Sequence, residues 1–281
     1  MKLFKIENEI ILLRAEQLYR IEEISWDELV NQEELYTYLQ TYIETYSSIS
    51  NSAWLKNKLM DAPIGNQEIW AAGVTYLRSK EARMEESKQS GGSDFYAKVY
   101  EADRPELFFK STASRCVGSG QSVYIRRDSA WNVPEPELTL FANRSGKIVG
   151  YTIGNDMSSR DIEGDNPLYL PQAKSYDGSA AIGPCLWIHG RTIDAQTNIS
   201  MRIEREGGVV FSGVISISQM KRTHEELISY LFREMSFPHG VYLMTGTCLV
   251  PPNDFTLHPG DKIVIAIDGI GELINTVAKK S

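Results

Sequence analysis

The sequence has little of what marks a secreted, membrane-bound or nucleic-acid-binding chain. It holds three cysteines in 281 residues (Cys116, Cys185 and Cys248), and no two form a C-x-x-C pair. That pattern suggests neither a disulfide framework nor a zinc knuckle, and it predicts reduced, buried thiols. No apolar run approaches the ~20 residues of a membrane helix; the longest are short pieces such as Ile263–Ile267. Basic charge is in deficit, since 29 Lys and Arg against 37 Asp and Glu give a formal net charge of −8. A chain of that sign has no general attraction to phosphate backbones. Glu7 and Glu9 interrupt the N-terminus before a signal-peptide apolar segment can form. The expectation is a cytoplasmic protein with neither a nucleic-acid nor a membrane partner.

What is present is ordinary for a folded chain: 42% hydrophobic and 23% charged residues, enough for one large domain or two smaller ones. Residues 2–15 read as two short strands around the turn-like Glu7-Asn8-Glu9. Asn31 and Glu34 have the spacing of a capping box, and Leu35, Leu39, Tyr42, Ile43 and Tyr46 follow at helical period. A Ser/Asn cluster at 47–52 and Asp61-Ala-Pro-Ile-Gly65 are breaks. We therefore expect a small N-terminal α+β domain over 1–68 and a β-rich domain over 69–281. In the latter, a charged helix over Glu81–Gln89 precedes many short strands (107–110, 121–126, 137–142, 147–154, 199–205, 209–217 and 262–267). Their short spacing suggests a folded-over sheet or barrel rather than βαβ units. Thr223 and Glu226 suggest a second capping box, with a helix over Leu227–Met235.

Chemistry concentrates between Val133 and Pro184. In Pro134-Glu135-Pro136-Glu137 the two carboxylates stand at i and i+2, so on an extended segment they share a face. The prolines imply an edge, a bulge or a strand start. A third carboxylate, Asp156, ends the next strand at Gly154-Asn155-Asp156, where a turn could bring it back towards the first two. Three converging carboxylates need a cation, and an all-oxygen set suits Mg²⁺, with Mn²⁺ as the alternative. The same E-x-E pattern also describes a solvated strand face. Lys174, 18 residues beyond Asp156, could hold a substrate anion, stabilise an enolate or carry a proton, or be an ordinary surface lysine. Ala181-Ile-Gly183-Pro184 reads as a closing turn. Gly118-Ser-Gly120 is no dinucleotide fingerprint, and His224 and His258 have no partner at ligand spacing, so no catalytic histidine is assigned.

Several motifs combine in one order: Glu135-x-Glu137, Gly150-Tyr151-x-x-x-Asn155-Asp156-x-Ser-x-Arg160-Asp161, Lys174-Ser-x-Asp177 and Gly183-Pro184. Towards the C-terminus come Thr245-Gly246-Thr247, His258-Pro259-Gly260-Asp261 and Gly269-Ile-Gly271. Over about residues 70–278 this set resembles the fumarylacetoacetate hydrolase family. The resemblance implies an α+β chain whose catalytic domain is a mixed β-roll, β-barrel-like, with Glu135, Glu137 and Asp156 as metal ligands. It further implies Lys174 beside the substrate and Thr247 facing it. Hydrolases of the family carry a Gly-x-Asn-Tyr-x-x-His motif with a glutamate three residues on, a dyad that activates water. Here Ser79 and Ala82 occupy those two positions. The Leu170–Pro184 string and the Pro-Glu-Pro-Glu variant resemble instead the branch of 2-keto-3-deoxy-pentonate (arabinonate or xylonate) dehydratases. Their product, 2,5-dioxopentanoate, arises through a metal-stabilised enolate with no water to activate.

An anionic substrate on a metal held by three carboxylates calls for further cations. Lys174 is one, Arg78, Arg83 and Arg115 are candidates, and Arg160 would orient a metal carboxylate. Lys174, a metal-bound hydroxide, Glu81 or Glu86 would serve as base, the last two on a charged helix able to close over the substrate. The alternatives are an acylpyruvate- or fumarylpyruvate-type C–C hydrolase or an oxaloacetate-type decarboxylase on the same metal, and a non-catalytic sugar-acid-binding protein. By family analogy the assembly is a homodimer or homotetramer.

Overall fold

The structure, a computed structural model, describes residues 1–77 and 98–280. Its first 21 residues form a meander of β1 (Lys2–Ile6), β2 (Glu9–Arg14) and β3 (Gln17–Ile21). Both connections are two-residue turns with positive φ at each position, Glu7-Asn8 and Ala15-Glu16, the geometry that matches strand twist in a tight hairpin. Two helices follow, α1 (Trp26–Val30) and α2 (Leu35–Thr45). The capping box lies one helix earlier than the spacing suggested. Ser25 and Glu28 satisfy each other's backbone amides at the start of α1, whereas α2 begins at Glu34 with no side-chain cap. Asn31 is drawn into tertiary bonds instead: its side chain donates to the Asp27 carbonyl at 2.7 Å and accepts from the Arg144 amide at 2.8 Å. Glu34 pairs with Lys147 at 2.5 Å.

The next strands are β4 (Ser50–Asn51), β5 (Glu68–Gly73), β6 (Glu106–Thr112), β7 (Cys116–Val117) and β8 (Ser122–Ile125). A long hairpin, β9 (Asn132–Ala142) and β10 (Ile148–Ser159), leads into α3 (Arg160–Asp165) and α4 (Leu170–Lys174). After these come β11 (Ala180–Trp187), β12 (Asn198–Arg205), β13 (Gly208–Ser216), α5 (His224–Leu231), β14 (Val241–Met244), β15 (Lys262–Ile267) and β16 (Gly271–Lys279). Thr223 caps α5, accepting from the Glu226 amide, but the Glu226 carboxylate goes to Arg222 at 2.6 Å, so the box is half formed. The helix stops at Leu231, short of Met235.

Two open sheets hold these strands, neither closed into a barrel. The larger has 11 strands in the order β4-β3-β2-β1-β11-β10-β9-β14-β5-β6, with β7 beside β11; the smaller runs β13-β12-β15-β16-β8. Ala181–Pro184, expected as a turn, lies inside β11 and is hydrogen-bonded to β10 on one side. The β1 strand joins the same sheet through β11, with Leu3 opposite Leu186. Alternation along β9 sorts its side chains: Leu138, Leu140 and Ala142 pack between the sheets with Ile203, Ile263, Ile265 and Leu273. Phe141, on the other face, joins Leu3, Leu12, Leu29, Leu186 and Tyr242 beneath the N-terminal helices. Among the described residues no helix is long and apolar enough to cross a membrane. Cys185 and Cys248 are buried, whereas Cys116 is only part-buried.

Candidate active site

The carboxylates meet through strand pairing, not through a turn. Beyond the Asn143–Lys147 connection β10 stays extended past Asp156, which lies directly across from Glu135; Gly154 lies across from Glu137. All four therefore share one face of the hairpin. Gly154 is needed there, because a Cβ would stand 2.3 Å from Thr139 Oγ1. Pro134 and Pro136 sit on the half of β9 that precedes its pairing with β14, which begins at Thr139, so their missing amides leave no gap in a ladder. One oxygen from each of Glu135, Glu137 and Asp156 lies within 4.8 Å of the others, and all three residues are at most 3% exposed.

Buried carboxylates need partners, and cations arrive from three directions. Lys174, the last residue of α4, pairs with Glu135 Oε2, reaches Asp156 Oδ2 at 3.1 Å and donates to Ser158 Oγ at 2.6 Å. Arg160, at the start of α3, bonds Glu135 Oε1 and lies 3.6 Å from Glu163. Lys110 of β6 sits 2.5 Å from Asp156 Oδ1. Its burial lowers its pKa, with the Asp156 charge opposing that shift. Among the described residues Glu137 receives only a backbone donor, the Gly246 amide at 2.6 Å. Burial pushes its pKa well above the ordinary carboxylate range, and the Asp156 and Glu135 charges add to the shift.

The three carboxylates, Lys174, Arg160 and Thr247 line a cavity of about 20 Å³, room for one water-sized occupant. Wider grooves of about 610 and 1300 Å³ border α2, but no comparable group of three acidic or other ligating side chains lies in them among the described residues. A compact, all-oxygen donor set with one small space between fits a hard divalent cation, Mg²⁺ or Mn²⁺.

Sequence reasoning placed six of these residues. Arg115 is not brought to the cavity: it is half-exposed and lies 3.3 Å from Asp177. Arg78, Glu81, Arg83 and Glu86 lie outside the described residues. Two groups escaped notice. Lys110 follows Leu107-Phe108-Phe109, and a lone ammonium ending an apolar run was the available signal. Glu106 pairs with Gly73, a cavity-lining residue, and its carboxylate fills the space where a Gly73 side chain would be, 2.1 Å from an added Cβ.

Residues 68–278 match the fumarylacetoacetate (FAA) hydrolase C-terminal family. The chain belongs to that family. Within it, the chain is 50% identical over 216 residues to a probable 2-keto-3-deoxyxylonate dehydratase of Haloferax volcanii, covering 76% of this chain and 73% of the relative. It is 42% identical over 237 residues to the 2-dehydro-3-deoxy-D-arabinonate dehydratase of Saccharolobus solfataricus, covering 84% and 80%. Among solved structures, a 2-keto-3-deoxy-D-arabinonate dehydratase complexed with magnesium and 2,5-dioxopentanoate superposes with a TM-score of 0.82 at 35% identity, over 100% of this chain and 99% of that one.

Proposed function

We propose that this protein is a Mg²⁺-dependent lyase that dehydrates a 2-keto-3-deoxy-pentonate to 2,5-dioxopentanoate. The observation that carries the reading is the convergence of Glu135, Glu137 and Asp156 around one small space with Lys174 at its wall, in a chain whose near relatives are named for this reaction. Mg²⁺ held by the three carboxylates supplies the positive charge that acidifies C3 of a chelated 2-keto acid.

Among the described residues, Glu106, Glu135, Glu137, Asp156 and Glu163 against Lys110, Lys174 and Arg160 leave about −2, which a divalent cation neutralises. The charge of a monoanionic 2-keto acid therefore calls for a further cation, for which Arg78 and Arg83 are the candidates. Lys174 bridges Glu135 and Asp156 and is poised to hold the substrate or move a proton, and Arg160 keeps Glu135 oriented. Thr247 faces the ligand. Lys174, Glu106, Glu81 and Glu86 are the candidates for removing the C3 proton, with Arg78 and Arg83 as candidate substrate contacts. Overall the C4 hydroxyl leaves with a proton as water, and a hydrogen moved from C5 makes the aldehyde. Nothing in this sequence of steps needs an activated water, which accords with Ser79 and Ala82 at the positions where hydrolases carry the dyad.

The test is an assay of metal-stripped protein with 2-keto-3-deoxy-arabinonate and 2-keto-3-deoxy-xylonate, with and without Mg²⁺. Metal-dependent 2,5-dioxopentanoate that disappears in Glu135→Gln is the expected result. Cleavage of an acylpyruvate without dehydration of either sugar acid would replace the reading with a C–C hydrolase. We further propose a cytoplasmic homodimer or homotetramer, which light scattering of the purified protein and cell fractionation check.

A further inference from the structure

We propose that Lys110 is a positioning residue of the carboxylate centre, fixing which oxygen of Asp156 meets a cation and where the Lys174 side chain starts. The inference rests on the reading of Glu135, Glu137 and Asp156 as a metal centre.

Lys110 is fully buried in β6, at the point where its pairing with β5 shifts register and two residues beyond Phe108, which lines the cavity. Its ammonium faces three oxygens, all belonging to the protein: Asp156 Oδ1 at 2.5 Å, the Met157 carbonyl at 2.9 Å and the Lys174 carbonyl. Two of its donors go to the main-chain carbonyls, and Asp156 Oδ1 stands in ion-pair contact without hydrogen-bond alignment, so Lys110 acts through these buried protein neighbours. Those neighbours come from different elements. Asp156 and Met157 belong to β10, and Lys174 closes α4, where a terminal carbonyl has no partner within its own helix. Lys110 therefore ties the strand that presents a carboxylate to the helix end that presents the Lys174 ammonium.

Asp156 is divided between two lysines: Oδ1 faces Lys110 and Oδ2 faces Lys174 at 3.1 Å. Lys110 is itself fixed by two main-chain carbonyls, whereas the Lys174 ammonium on Oδ2 is held by side chains, so Oδ2 is the oxygen that a cation can take over and Asp156 contributes a single oxygen. Single-oxygen ligation at a fixed position favours Mg²⁺, which demands near-ideal octahedral geometry, over Ca²⁺, which accepts bidentate and irregular ligation.

Crystals of the unmodified protein grown with Mn²⁺ decide the geometry through the ion's anomalous signal. A cation bound through one Asp156 oxygen, with the other still on Lys110, is the expected result. A bidentate Asp156, or Lys110 turned away from it, overturns the proposal while leaving the metal centre intact; no cation at the carboxylates overturns the metal-centre reading as well. Calorimetry on Lys110→Met, without substrate, then compares Mg²⁺ with Ca²⁺. Mg²⁺ binding is expected to weaken about 10–100-fold and Ca²⁺ binding by less, narrowing the preference between them. A change in net charge alone moves both ions equally, so equal shifts would count against positioning. The Mn²⁺ crystal keeps the proposal testable however that variant folds.

Discussion

Among the described residues Glu137 is the member of the triad with no cation paired to it, and the consequences fall on pH. Burial raises its pKa, reinforced by Asp156 and Glu135, so the folded protein holds this proton more tightly than the unfolded chain does. The associated stability is fully present below the unfolded value of ~4.3 and is lost as pH rises through the raised folded value. A metal ligand must be deprotonated, so Mg²⁺ displaces the proton and binds more tightly as pH rises. Titration calorimetry is expected to give a stronger Mg²⁺ affinity at pH 7 than at pH 5, and an affinity indifferent to pH would contradict the ligand role. Lys174 is the complementary case, because one ammonium serves both Glu135 and Asp156. Lys174→Met leaves two buried carboxylates short of a partner and is expected to destabilise the metal-free protein by about 3–5 kcal/mol. Activity should be lost, and added Mg²⁺ should recover more stability in the variant than in the parent. Urea unfolding with and without Mg²⁺ measures both.

At the level of elements, the site depends on a loop as much as on the β9–β10 hairpin. The Gly246 amide holds Glu137, and Gly246 follows β14 with φ +91°. Thr75, after β5, donates to the Thr245 carbonyl at 2.7 Å. A Cβ on Gly246 would stand 2.1 Å from Thr75 Oγ1 and 2.9 Å from the Ala72 carbonyl oxygen. Gly246→Ala therefore has to move the amide off Glu137, and Mg²⁺ affinity should drop about 10–100-fold. Gly207 is the control: its φ is +82°, but an added Cβ meets nothing within 4 Å. Gly207→Ala should cost about 1 kcal/mol in backbone strain and leave Mg²⁺ binding unchanged. Similar Mg²⁺ affinities in the two variants would show that the loop does not position Glu137.

Over the whole molecule, the family match begins at residue 68, and we propose the boundary at 68/69 as the division between an N-terminal α+β unit and the catalytic unit. The two share a sheet through β1 and β11 and a common apolar layer in which Leu3, Leu12 and Leu29 meet Leu186 and Tyr242. Removing residues 1–68 would unpair one edge of β11 and uncover that layer, leaving an aggregation-prone surface. A fragment of residues 69–281 is expected to be insoluble or to lack cooperative unfolding. A soluble fragment that still binds Mg²⁺ would show the N-terminal unit to be dispensable for the fold.

Much of the site could be read along the chain because its chemistry is local in sequence. Glu135 and Glu137 share a face by strand alternation alone, and the first hairpin is announced by Glu7-Asn8-Glu9. The motif set from Glu135 to Gly183 carried the family, and with it the third carboxylate and Lys174. Pairing between distant segments was not legible. Asp156 reaches Glu135 because β9 and β10 pair along their whole length, not because the chain turns after Asn155. Asn31 has the residue type and spacing of a cap, yet Arg144, 113 residues away, claims its side chain. Arg115 has the charge for a substrate contact but faces Asp177 at the surface, while Lys110 is taken into the interior. Composition and local pattern decided which residue types and turns the chain possesses. Only the tertiary structure decided which charges would be desolvated together, because that depends on strands far apart in sequence closing over the same space.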